Sequence, residues 1–126
     1  MEALVVTLET AQKLKAAGFS QRTCLLWFLD THPTSSLGSF VSASATETEY
    51  FKLECAAPTA QEIADQLPIS RNLESGTGYL QCGPIHRSRA YWAAYETPVG
   101  PEVQEVGAYM AEALAALWLD FHEATA

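Results

Sequence analysis

The sequence predicts an α+β protein, with helical periodicity at both ends and strand-like segments between them. Three observations carry that reading. Residues 101–122 repeat apolar side chains at helical spacing, residues 22–30 are apolar on both alternating sets, and Thr59-Ala60-Gln61-Glu62 forms a capping box ahead of a mid-chain helix. The expected order is α-β-β-β-α-β-β-α. It implies an antiparallel sheet of about five strands with the N- and C-terminal helices packed on it.

The first helix is expected over residues 7–17. Thr7 serves as N-cap, Glu9 falls in the first turn, and Gly18 stops the helix. Leu8, Ala11, Leu14 and Ala17 share its core face, and Phe19 closes over its end. In 22–30, Cys24, Leu26 and Phe28 alternate with Leu25, Trp27 and Leu29, so both faces are apolar and the strand belongs in the middle of a sheet. Thr31 to Ser36, with Pro33, reads as a turn. Residues 38–45 form a Ser- and Ala-rich strand. Residues 50–56 alternate, with Phe51, Leu53 and Cys55 inward and Lys52 and Glu54 outward.

Pro68 disfavours helical geometry at Leu67 and keeps the mid-chain helix short. Residues 71–78 are polar and glycine-bearing and read as a loop. Strands are expected at 79–82 and 90–96, joined across Gly83-Pro84-Ile85-His86-Arg87-Ser88. Pro98, Gly100 and Pro101 break the chain before the last helix. Its expected stripe is Val103, Val106, Gly107, Met110, Leu114, Leu117, Trp118 and Phe121, with Glu105, Glu112 and Glu123 opposite.

With 126 residues, the chain fits one domain over 1–126. Apolar residues make up 48% and charged residues 17%, a globular composition. Fifteen acidic and seven basic side chains give a net charge of −8. Such a surface repels phosphate backbones and anionic lipid, so nucleic acid and membrane are not expected partners. The longest apolar run without small residues, Leu25 to Leu29, is far short of the ~20 residues that span a bilayer. Met1-Glu2-Ala3-Leu4 lacks the basic start and apolar block of a signal peptide. The odd set Cys24, Cys55 and Cys82, with no Cys-x-x-Cys, reads as free thiols packed in strands and points to the cytoplasm.

The densest cationic spot is His86-Arg87-Ser88-Arg89, expected at a hairpin tip beside Tyr91 and Trp92. Guanidinium groups there suit a phosphate or carboxylate, and an aromatic ring suits a base. The plainer alternative is a polar turn whose arginines pair with neighbouring glutamates. Ser75-Gly76-Thr77-Gly78 lacks the Gly-Lys-Ser/Thr of a P-loop but offers a second wall for the same pocket. Cys82 and His86 lack an identifiable oxyanion hole or orienting group, and Ser35, Ser36 and Ser39 lack a Gly-x-Ser-x-Gly elbow. His32, His86 and His122 are scattered, so no metal site or cofactor is expected. Leu119, with Ala108, Ala115 and Ala116 nearby, marks a possible self-association surface and hence a possible homo-oligomer.

Leu8-Glu9-Thr10-Ala11, Leu14-Lys15 and Gly18-Phe19, followed by an Ala57-Pro58-Thr59 helix start, an aromatic hairpin and a closing Ala-rich helix, form a pattern over the whole chain. It resembles a group of small uncharacterised proteins of Bacteroidetes phages and mobile elements. That group often places a Trp in the mid-chain helix, where this sequence has Ile63 and Ala64. The resemblance implies provenance and no mechanism. The first expectation is a non-enzymatic cytoplasmic binding protein that occupies a host partner, with a basic protein face compatible with the charge. The alternative is an oligomeric sponge that sequesters a small anionic, nucleotide-like ligand on His86, Arg87, Arg89 and Tyr91 or Trp92. A small hydrolase or transferase is the third class.

Overall fold

The computed structural model describes residues 4–31, 33 and 38–125. The chain runs α1 (Leu8–Ala16), β1 (Leu26–Asp30), β2 (Ser39–Ser42), β3 (Phe51–Ala56), α2 (Ala60–Asp65), β4 (Ser70–Leu73), β5 (Gly76–Pro84), β6 (Tyr91–Thr97), β7 (Gly100–Gly107) and α3 (Met110–Thr125). Among the described residues the strands form two antiparallel sheets, ordered β2-β1-β3 and β4-β5-β6-β7. The α+β class and the antiparallel pairing agree with expectation. The single sheet of about five strands does not, because residues 70–78 and 100–107 both add strands.

Helix α1 starts where Thr7 Oγ1 accepts from the Thr10 amide at 3.3 Å. It ends at Gly18, whose φ of +94° is a left-handed conformation that favours glycine. The following amide of Phe19 donates to Leu14 O at 2.9 Å. Ala11 and Leu14 are buried, and the Phe19 ring meets Trp118 of α3 edge-on at 5.1 Å. Strand β1 is central, as its two apolar faces require, but it begins at Leu26 and leaves Cys24 exposed outside it. Trp27 enters the main core and donates from Nε1 to Val6 O at 3.2 Å. Phe28 faces the other way and stacks on Phe40, which meets Phe51 edge-on.

The expected alternation of β3 is broken. Trp27 pairs with Cys55 but Phe28 pairs with Leu53, so Glu54 is an extra residue in a bulge. Cys55 is therefore buried on the core face, while Leu53 lies on the Phe28 face, 44% exposed. The capping box at α2 is complete. Glu62 N donates to Thr59 Oγ1 at 3.3 Å, and Thr59 N donates to Glu62 Oε1 at 2.9 Å. The second carboxylate oxygen of Glu62 accepts from the Cys24 amide at 3.0 Å, tying the start of α2 to the approach to β1.

The largest departure lies at residues 100–107. Helical spacing predicts a helix from Pro101, yet these residues form β7, and α3 begins at Met110. A period of two competes with the helical one. Val103, Glu105 and Gly107 turn toward α3, and Glu102, Gln104 and Val106 turn outward. β-Branched valines fit a strand, and pairing along β6 satisfies the backbone of a segment too short to be a helix between its prolines and Gly107. The remainder of the stripe holds, with Leu114, Leu117 and Trp118 buried and Met110 and Phe121 half-buried. Helix α3 packs on β6 and β7 on one side and on α2 and α1 on the other, which explains why Ala111, Ala113 and Ala115 are buried as well. Ala115 is buried in the core and Leu119 packs at its margin. No helix of the described residues is long and apolar enough to cross a membrane.

Gly107 marks where β7 and α3 touch. A Cβ there would lie 2.6 Å from the Ala113 amide nitrogen and 2.7 Å from Glu112 Cβ, so backbone would have to move. Gly107→Ala should cost about 1–3 kcal/mol through overpacking, read as a lower urea midpoint at unchanged slope. Gly83→Ala should cost less, since its nearest neighbour is the Trp92 ring at 3.4 Å.

Candidate functional site

Strands β5 and β6 pair from Tyr79–Glu96 to Pro84–Tyr91. The hairpin closes through Ile85 N donating to Ala90 O at 2.9 Å and Ser88 N donating to Ile85 O at 3.1 Å. Arg87 stands in the left-handed region with φ of 63°. His86, Arg87, Ser88 and Arg89 are all exposed, which places the cationic tip where the sequence predicts it. No ion pair or side-chain hydrogen bond holds Arg87 or Arg89 among the described residues. The ion pair that is present there joins Lys13 to Glu9 at 3.7 Å in α1. The pairing of these arginines with neighbouring glutamates is thus not observed.

The aromatic neighbours do not act together. Tyr91 and Trp92 are consecutive in a strand and point to opposite faces of the sheet. Trp92 covers Gly83 on the open face, beside Val106, its partner on β7. Tyr91 turns to the α3 face, opposite Gly107. There it walls an apolar pocket of about 210 Å³ with Leu4, Ala60, Tyr109, Met110 and Ala111. The five expected residues therefore split into a tip (His86, Arg87, Arg89), a pocket wall at its foot (Tyr91), and a residue on the other face (Trp92). Sequence reasoning missed Leu4, Ala60, Tyr109 and Ala111, which come from three distant segments and reach the pocket only through the fold. The signal that was available is Tyr109, directly before the true start of α3.

The Ser75–Gly78 segment is not a second wall. It starts β5 and faces β4 across a tight turn, at the end of a nine-residue strand whose other end carries the cationic hairpin. At ~3.3 Å per residue the two turns lie roughly 25 Å apart. Glu102 of β7 holds the β4–β5 turn instead. Its carboxylate accepts from Ser75 Oγ at 2.7 Å, Ser75 N at 2.9 Å and Glu74 N at 3.0 Å. These donors, the Ser75 hydroxyl first, hold the Glu102 carboxyl below the ordinary carboxylate range.

Chemistry is thin elsewhere. Cys82 and His86 are exposed, and no hydrogen bond joins them. Burial pushes the Cys55 thiol up, away from a reactive thiolate. His122 stacks on Trp118 at 5.1 Å, and His32, Ser35 and Ser36 lie outside the described residues. Among the described residues no three His, Cys, Asp or Glu side chains gather as metal ligands would. Tyr95 is fully buried, donates to Pro68 O at 2.7 Å, and has its hydroxyl pKa pushed up to about 12, mainly by burial. Arg71 lies between the Tyr95 and Phe121 rings, 5.0 and 4.9 Å from their centroids, binding α3 to the sheet.

Comparison with known protein families, with curated proteins and with solved structures finds no match to this chain.

Two glutamates of β7 predict opposite pH responses. Glu102 has a lowered pKa in the folded state, so its contribution is present above the ordinary value of 4.5 and is lost as pH falls through the lowered one. Glu102→Gln should therefore lower the melting temperature at neutral pH and matter little in acid. Glu105 has a raised pKa, from burial and then from Asp120, so its charged form destabilises as pH rises through that value. Glu105→Gln should raise the melting temperature at neutral pH. Thermal melts of both variants across the acidic range check the signs.

Proposed function

We propose that this chain is a non-enzymatic binding protein of the phage and mobile-element kind, which acts in the cytoplasm by occupying a host protein. The end of the four-stranded sheet that carries the β5–β6 hairpin is its contact surface. The observation that supports this reading is the pairing of unpartnered, exposed Arg87 and Arg89 with an apolar pocket at the hairpin's foot. A cationic hairpin tip with an apolar recess at its foot suits recognition, in which a buried side chain supplies affinity and nearby charges supply orientation. Nothing at this end supplies a nucleophile and base in contact, as bond-breaking chemistry would need.

The size of this recess suits a single side chain better than a whole nucleotide. Pockets for drug-sized ligands enclose about 300–1,000 Å³. The pocket here, about 210 Å³ with apolar walls, holds one side chain rather than a base, sugar and phosphate. The exposed Cys24 and Cys82 and the buried Cys55 fit a reducing compartment. The acidic balance of the chain speaks against nucleic acid.

The reading is tested by affinity capture from host-cell extract with wild-type protein and an Arg87→Ala/Arg89→Ala double variant, joined to native mass spectrometry. One stoichiometric protein should accompany the wild type and fall at least about tenfold with the double variant, whose melting temperature stays unchanged, as for exposed substitutions in general. A wild-type protein that carries a few hundred daltons of small molecule and no protein would overturn the reading in favour of ligand sequestration.

A further inference from the structure

We infer that the pocket and the hairpin tip together read an acidic protein segment interrupted by a single aromatic or branched aliphatic side chain. This rests on the binding reading above and gives its partner a chemistry. Tyr91 is the joint between the two halves. It walls the pocket and, as the first residue of β6, pairs with Pro84 at the foot of the hairpin. Arg89 lies two residues from it, so no more than about 7 Å of backbone separates the pocket wall from the nearer arginine. Arg87 is two residues further on, in the turn that closes the hairpin.

The walls decide what enters. Leu4, Ala60, Met110 and Ala111 make the lining mostly apolar, and Tyr91 and Tyr109 add rings. A charged or amide side chain would lose its water there without gaining partners. The recess is half open to solvent, and its volume of about 210 Å³ suits one phenyl or branched aliphatic group. The tip decides what flanks the anchor. Two free guanidinium groups and an imidazole favour carboxylates, which Arg can grip bidentately. The net charge of −8 does not cancel this, because exposed charges are screened beyond about 8 Å at physiological ionic strength.

The probes are fluorescein-labelled twelve-residue peptides with one Phe, Leu, Ile or Trp among glutamates, titrated into the full chain by anisotropy and by amide nitrogen NMR. At least one should bind and shift the amides of Ala60, Tyr91, Tyr109, Ala111 and Arg89 together. Replacing its anchor by Ala should weaken binding at least about tenfold, as expected for one lost buried side chain. Replacing its glutamates by lysines should abolish binding. Ala60→Leu, which narrows the pocket from the start of α2, should remove the anchor's advantage, with the amide spectrum away from the pocket unchanged. Arg87→Ala/Arg89→Ala should flatten the salt dependence. If every peptide leaves the spectrum unchanged, or Ala60→Leu binds as tightly as wild type, the inference is wrong. Adenosine monophosphate binding more tightly than any peptide would also overturn it. Host capture succeeding while the peptides fail rejects this ligand class alone, whereas loss of host capture rejects the binding reading itself.

Discussion

The contact between the end of β7 and the first turns of α3 is the constraint on which the rest of the molecule depends. Gly107 and the Ala113 amide approach so closely that no side chain fits between them. That approach lets one sixteen-residue helix lie flat on the four-stranded sheet and still offer its other side to α1 and α2. Among the described residues no strand of one sheet pairs with a strand of the other. They are joined by side chains in one apolar cluster, with Trp27 and Cys55 from the first, Ala93 and Tyr95 from the second, and Leu114, Leu117 and Trp118 from the helix. Phe19 against Trp118 extends the cluster to the end of α1.

The same contact creates the candidate site. Tyr91 is the register partner of Gly107, so the residue that needs closeness to α3 sits next to the residue that walls the pocket. Met110 and Ala111 begin the helix that Gly107 receives, and they line the same cavity. A wider gap between β7 and α3 would move these groups apart. Pocket and core are therefore set by one distance, while the arginines above them are set only by the hairpin's closing bonds.

Local signals were legible where one segment determines its own structure. The cap at Thr7, the stop at Gly18 and the Thr59–Glu62 box depend on neighbours within a turn, and each appears where its residues imply. The central place of β1 followed from two apolar faces. Residues 100–107 misled because Val103, Val106 and Gly107 fit a helical stripe as well as a strand, and only pairing with β6 decides between them. The bulge at Glu54 was invisible for a similar reason, since alternation along β3 says nothing about its partner. The cationic tip was legible as a dense local motif. The pocket was not, because Leu4, Ala60 and Tyr109 meet only after α2 and β7 have packed around α3.

Side chains at the tip of the β5–β6 hairpin stand apart from everything that holds the molecule together. His86, Arg87 and Arg89 are exposed, and none belongs to the apolar cluster. The turn itself is fixed by main-chain bonds at Ile85 and Ala90. Sequence can therefore drift at positions 86 and 89 with almost no penalty in folding, whereas the Ser88 hydroxyl accepts from the Ala90 amide at 3.2 Å. Position 87, with its positive φ, also admits glycine, asparagine or aspartate at low cost. The charge of this tip could be rewritten many times over while the glycine beneath the helix stayed where it is.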